Sequence, residues 1–254
     1  MTFKIRPKIK KEFDTIYNFG FKNLIVSGCS FVYNNHDSSA VTWPYYLRDM
    51  GGFDNVLDTS MPAAGNYHIA KSLQWAIEMD RPNISDSLVI VMWSGNDRDD
   101  YICPITNLIA PSQFNYNNAV GTGTTGGSAD GNVGNTKQGL KVLAQTKTHQ
   151  SRVIENYLYI SGLCSFLTAA GYKFLFLNYM NRNLPNRTKD FDITKFLEKS
   201  LQKKFNSMML TVTDPYTYAL QNNLLLADEF HPSPDGHLAW TRDILLPQLQ
   251  LLTL

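Results

Sequence analysis

The chain has 254 residues, of which 43% are hydrophobic and 18% are charged. That length and balance fit one globular α/β domain spanning residues 1–254. The formal net charge is +1, so the overall field favours neither nucleic acid nor an anionic membrane surface as a partner. No apolar run reaches the length of a membrane span, and the basic N-terminal segment lacks the apolar stretch of a signal peptide. We therefore expect no membrane span and a cytoplasmic or virus-associated location.

The cysteines argue against a disulfide framework. There are three, Cys29, Cys103 and Cys164, and their spacing is not that of a metal site. Reduced thiols fit an odd number of cysteines better than cross-links do. The sequence therefore predicts neither a disulfide nor a metal site, and it indicates no cofactor.

Apolar runs without alternation recur along the chain, which is typical of parallel strands covered on both faces. The runs predict strands at residues 23–27, 55–58, 87–93 and 173–179, and a fifth near 207–212 that could equally end a helix. Because helical segments lie between the strands, we predict a flavodoxin-like three-layer α/β/α fold with a parallel sheet of about five strands.

Three segments between the strands have helical spacing. In the first, apolar residues at 69, 73, 76 and 77 share one face after Asn66, a candidate cap. In the second, apolar residues from 153 to 167 form a longer helix that ends near Gly171. In the third, Ser233 and Pro234 supply a cap and a first-turn proline for a helix through Leu245.

One stretch, at about 103–137, departs from this alternation. It is rich in Gly, Thr and Asn and has few large apolar side chains to offset its ordering entropy. A disordered insertion and a mobile lid both fit, because long loops in compact domains are often functional. Tyr101, Phe114 and Tyr116 are aromatic residues in or beside it that could stack on sugar rings.

Three of the strands are followed by residues that suit acyl transfer. Ser30, Gly65 and Asn96 each come soon after a predicted strand, and the carboxyl ends of parallel strands meet at one edge of a sheet. Each residue alone is more often an ordinary turn residue. Together they supply a hydroxyl nucleophile and, from the amides of Ser30 and Gly65 and the side chain of Asn96, an oxyanion hole.

A serine nucleophile needs a base, and His231 is the best candidate. Asp228 lies three residues before it, where a carboxylate can accept from one imidazole nitrogen and turn the other toward Ser30. An isolated Asp and His pair before a helix is more often a surface feature. The competing histidine, His237, falls inside the predicted helix, and we expect it to be structural or exposed.

These blocks resemble those of the SGNH hydrolases, the superfamily that includes the GDSL-type esterases and lipases. The resemblance runs from about Asn23 to Trp240. It implies Ser30 as nucleophile, Asp228 and His231 as the remaining members of a catalytic triad, and Gly65 and Asn96 as oxyanion donors. The segment from Trp43 to Leu47 is also similar to the helix that usually follows the first block, and the residues 231–236 resemble the H-P-x-x-x-G ending.

Cys29 is a departure, because many members have Asp at that position. The triad does not depend on it, and no basic neighbour in the sequence would activate Cys29 as a thiol nucleophile. The resemblance implies a carboxylic ester hydrolase that forms an acyl-enzyme on Ser30 and acts on a small-molecule or carbohydrate ester. The loop near the site is polar and no long apolar stripe suggests a lipid-binding lid, so we favour a carbohydrate O-acetyl group as the substrate. Two alternatives stay open: a non-catalytic carbohydrate-binding or structural module of the same fold, and an acyltransferase that uses the same residues.

Overall fold

A parallel sheet of four strands forms the centre of the fold. The structure is a computed structural model that describes residues 17–34, 41–62, 64–95, 100–102, 109–111, 149–178, 203 and 209–252. The strands are β1 (Asn23–Ser27), β2 (Asn55–Asp58), β3 (Ser87–Trp93) and β6 (Lys173–Asn178), in the order β2-β1-β3-β6. Every neighbouring pair is parallel. The four predicted strands are confirmed, the last over residues 173–178, where the described range ends.

Among the described residues, the predicted fifth strand is present as a single bridge. Met209 pairs in parallel with Phe176 of β6, and the Leu210 amide donates to the Phe176 carbonyl at 2.8 Å. This bridge places residue 209 beside β6, at the edge of the sheet. Residues 204–208 lie outside the described ranges.

Helices cover the sheet in two groups. They are α1 (Trp43–Gly51), α2 (Asn66–Asp80), α3 (His149–Ala170), α4 (Pro215–Gln221), α5 (Pro234–Trp240) and α6 (Leu246–Leu251). In one group, α2 packs against α3, and in the other, α1 packs against α5. The rings of Trp43 in α1 and Trp240 in α5 meet edge to face at 6.0 Å. All seven residues of β3 are buried, so both faces of this strand are covered. The fold class is therefore the predicted one.

Two helix ends differ from the prediction. Gly65, and not Asn66, is the N-cap of α2, and Asn66 is the first helical residue. The last predicted helix is interrupted, because a π-helical turn at Thr241–Leu245 separates α5 from α6. Ser233 caps α5 as expected, since its side chain accepts from the Gly236 amide.

Two short strands lie apart from the main sheet. β4 (Asp100–Ile102) and β5 (Ile109–Pro111) pair antiparallel, and β5 belongs to the stretch predicted as an insertion. The rest of that stretch, including Phe114 and Tyr116, lies outside the described residues. Within the ranges given above, none of the helices has both the length and the apolar character that a bilayer crossing requires.

Candidate active site

The nucleophile candidate lies in a tight turn at the carboxyl end of β1. The amides of Val32 and Tyr33 both donate to the Cys29 carbonyl at 2.9 Å, so the chain turns sharply around Ser30. Gly28 lets this turn lie close to β3, because a Cβ there would be 3.0 Å from the Met92 carbonyl oxygen and would overlap Val32. Ser30 is consequently raised at the edge of the sheet and remains partly exposed.

Ser30, His231 and Asp228 form one hydrogen-bonded chain. The Oγ of Ser30 is 2.9 Å from Nε2 of His231, and Nδ1 of His231 is 2.5 Å from Oδ2 of Asp228. With the proton on Nδ1 donated to the carboxylate, Nε2 is left to accept the serine proton. This is the connectivity that activates a hydroxyl for nucleophilic attack.

The Asp228 carboxylate is oriented by its own loop. Its Oδ1 accepts from the backbone amides of Phe230 and His231, both at 2.9 Å, which leaves Oδ2 for the imidazole. Burial raises the pKa of Asp228, but the hydrogen bonds from the His231 amide, the His231 ring and the Phe230 amide outweigh that effect and lower the pKa below its ordinary value. The carboxylate is therefore ionised wherever the imidazole can act as a base.

The loop that carries the acid and the base is a hairpin closed at both ends. The Leu226 amide donates to the His231 carbonyl at 2.8 Å, and the Ser233 amide donates to the Leu224 carbonyl at 2.7 Å. Glu229, at the tip, has a left-handed φ of 56°. Gly236 permits the close approach of α5 to this hairpin, because a Cβ would be 2.6 Å from the Leu224 carbonyl oxygen. His231 thus projects toward Ser30 from a hairpin that is held by hydrogen bonds at both ends.

Comparison with known proteins gives a match in structure only. No protein-family model matches the chain, and no curated protein matches its sequence. A variant of Axe2, an acetyl-xylooligosaccharide esterase from Geobacillus Stearmophilus, has a TM-score of 0.50 at 14% identity, over 91% of this chain and 95% of that one. TesA also has a TM-score of 0.50 at 14% identity, over 91% of this chain and 99% of that one. A lipolytic G-D-S-L family protein of Desulfitobacterium hafniense gives 0.48 at 11% identity, over 92% and 99% of the two chains.

The chain has the SGNH-hydrolase fold. At these identities the likeness concerns the fold alone, and the chemistry of the site depends on its own side chains.

One predicted oxyanion donor, Gly65, follows β2, the strand that pairs with β1. Gly65 is buried at the N-cap of α2, following β2, where backbone amides and the helix dipole favour negative charge. The segment that leads to it runs beside β1, since the Met61 amide donates to the Gly28 carbonyl at 3.1 Å. Asn96 lies outside the described residues, which end at Gly95 after β3, so its role stays a prediction.

His237, the competing histidine, is held away from solvent. It is 4% exposed in α5, and its Nδ1 has no hydrogen-bond partner within the described parts of the chain. Burial, together with the charge of the nearby His231, lowers the pKa of His237 to about 3. It is a neutral core histidine. Of the two expectations, structural or exposed, the structural one is therefore confirmed. Cys29 is also fully buried, so its thiol is not accessible as a nucleophile.

Sequence reasoning missed the aromatic side chains that hold the imidazole. The Phe31 ring lies 5.3 Å from the His231 ring, and Phe230 meets the same ring edge to face at 5.2 Å. Phe230 also contacts Phe31 at 5.6 Å and Tyr216 at 5.7 Å. The only sequence feature that could have revealed them is the position of Phe31 and Phe230 directly beside Ser30 and His231.

Proposed function

We propose that the chain is a serine ester hydrolase that works through an acyl-enzyme on Ser30. The observation that carries this proposal is the continuous hydrogen-bonded chain from Ser30 through His231 to Asp228. A binding module has no use for a hydroxyl, an imidazole and an ionised carboxylate held in this order. The fold and the presence of an esterase, Axe2, among its structural neighbours support the same reaction class.

In the proposed reaction, His231 takes the proton from Ser30 as the hydroxyl attacks the ester carbonyl. The developing oxyanion is stabilised by the amides of Ser30 and Gly65 and by the side chain of Asn96. His231 then protonates the leaving alcohol, and the acyl-enzyme is hydrolysed by a water molecule that His231 deprotonates. Asp228 keeps the imidazole in the productive tautomer throughout and stabilises its charged form.

Within this class we favour a short acyl group, such as an acetyl group on a carbohydrate hydroxyl. The His231 side chain is 31% exposed and that of Asp228 is 47% exposed, so the site opens to solvent on this side and can admit a bulky polar alcohol. One structural neighbour, Axe2, is described as an acetyl-xylooligosaccharide esterase. Acetate release from acetylated xylo-oligosaccharides, compared with release of octanoate from a matched long-chain ester, tests the substrate class.

Labelling with a fluorophosphonate probe, followed by peptide mapping, tests the reaction class. We expect the label on Ser30, because only that hydroxyl has an imidazole partner among the described serines. Ser60 offers a matched control: it lies near the same edge of the sheet and its hydroxyl bonds to a carboxylate, that of Asp58. Ser60→Ala should label like the parent, whereas Ser30→Ala and His231→Ala should not. Absence of label from folded parent protein would favour the binding-module alternative.

A further inference from the structure

A buried amide side chain joins two of the segments that surround Ser30. Asn66, the first residue of α2, is 2% exposed. Its Oδ1 accepts from the Ser94 amide at 2.8 Å, and its Nδ2 donates to the Ser94 carbonyl at 3.1 Å and to Oδ1 of Asn156 at 2.7 Å. Both amide hydrogens are therefore used, and the orientation of the side chain is fixed, because the reversed amide would place donor against donor.

The hydrogen bonds of Asn66 join the start of α2 to the end of β3. Asn66 directly follows Gly65, and Ser94 directly follows the last residue of β3, with Asn96 two positions further on. The Asn66 side chain forms hydrogen bonds with both the N–H and the C=O of Ser94, as a residue of a neighbouring strand would. It thereby sets the distance between the segment that carries Gly65 and the segment that leads to Asn96.

A local role for Asn66 does not account for this arrangement. The N-cap of α2 is Gly65, and no side-chain cap bond is made there, so Asn66 does not satisfy its own helix. Simple core packing would be met by an apolar side chain without the cost of burying an amide. The same turn of α2 is also tied to the strand of Ser30, since the Ser27 hydroxyl donates to the Ile69 carbonyl at 3.0 Å.

We propose that Asn66 is a positioning residue for the oxyanion hole, and this inference rests on the proposed function. It acts through the end of β3 and touches no reacting atom. A displacement of about 1 Å in a catalytic group can cost ~10²-fold in rate. The loss should appear in kcat and not in KM, because the oxyanion forms only in the transition state.

The test compares Asn66→Ala with a control that loses a buried hydrogen bond at the opposite end of the same strand. Ser87→Ala is that control, because the Ser87 hydroxyl donates to the Asn83 carbonyl at 2.6 Å at the start of β3. Asn66→Asp is the second variant, since it keeps the size and the acceptor but loses both donors. On p-nitrophenyl acetate we expect kcat to fall ~10²-fold in both Asn66 variants and to stay near the parent value in Ser87→Ala.

The decisive arm combines Asn66→Ala with Asn96→Ala. If Asn66 acts through Asn96, the double variant should be no slower than Asn96→Ala alone. Losses that multiply in the double variant overturn the inference, and so does a kcat of Asn66→Ala that equals that of Ser87→Ala.

Hydrogen exchange at the Ser94 amide gives a readout that does not need activity. Protection should be lost in Asn66→Ala and retained in Ser87→Ala, and retained protection in Asn66→Ala overturns the inference. A parent that neither labels nor turns over removes the proposed function, and Ser94 exchange then still decides whether Asn66 holds the end of β3.

Discussion

The imidazole of His231 lies 2.9 Å from the hydroxyl of Ser30, although the two residues are 201 positions apart in the chain. The contact depends on the packing of α5 against α1 and on the aromatic contact between Phe31 and Phe230. It is a long-range product of the fold and not of any local motif.

Removal of either partner in this contact should abolish the proposed activity. We expect Ser30→Ala to lower kcat on a short-chain aryl ester by at least ~10³-fold and His231→Ala to be nearly as inactive, because neither group works without the other. The double variant should be no worse than either single one. Steady-state kinetics on proteins with parental circular dichroism spectra would check this, and activity of Ser30→Ala within tenfold of the parent would remove Ser30 from the mechanism.

The contact between Asp228 and His231 was predictable because the D-x-x-H spacing builds it locally. Both backbone amides that orient Asp228 lie within three residues of it, so the motif itself carries the geometry. The strands were predictable for a similar reason, since unbroken apolar runs such as 88–93 are typical of a strand buried on both faces. The buried hydrogen bonds of Asn66 could not be predicted, because its partners Ser94 and Asn156 are 28 and 90 positions away. As a sequence feature it suggested a helix cap.

Replacing Asp228 by Asn should lower the rate. An amide can present Nδ2 to the imidazole and hold the wrong tautomer, so we expect the maximal kcat to fall by ~10²–10⁴-fold. Steady-state kinetics on folded Asp228→Asn protein would measure this loss. A kcat at the parent value would show that Asp228 does not act on His231.

Asn96 should contribute mainly to kcat. One oxyanion donor is typically worth ~10²–10³ in rate, and the charge it stabilises develops only in the transition state. We therefore expect Asn96→Ala to lower kcat by that factor with little change in KM. A rise in KM alone would make Asn96 a substrate-contact residue.

The buried His237 should make the protein acid-sensitive without affecting catalysis. Its pKa of about 3 in the folded state is below the ordinary 6.5, so the unfolded chain binds the extra proton and stability falls as the pH drops from about 6.5 toward 3. His237→Ala should keep most of the activity and lose this dependence. Thr241→Val is a suitable control, because it removes a buried bond to the His237 carbonyl and should lower stability equally at all pH values. Loss of activity in His237→Ala, with activity retained in His231→Ala, would reverse the assignment of the base.

Asp58 should produce the opposite dependence. It ends β2, and burial raises its pKa to about 6, although hydrogen bonds from Ser60 and Tyr45 act to lower it. A carboxyl with a raised folded pKa binds its proton more tightly in the folded state, so stability is lost as the pH rises from about 3.8 to about 6. Asp58→Asn should remove this loss and leave the protein at least as stable as the parent at pH 8, as measured by urea unfolding.

Asp58 and His237 have opposite effects on the pH dependence of stability over the same pH range. Between about pH 4 and pH 6, Asp58 binds its proton mainly in the folded state, and His237 binds its proton mainly in the unfolded state. The contributions of the two groups to the slope of the unfolding free energy against pH therefore cancel. Each proton is worth at most ~1.4 kcal/mol per pH unit. Relative to the parent slope, the unfolding free energy should therefore rise more steeply with pH in Asp58→Asn and less steeply in His237→Ala. Urea titrations at pH 4, 5 and 6 would measure the three slopes, and two variants that shift the slope in the same direction would refute the assignment of these two groups as buried and oppositely displaced.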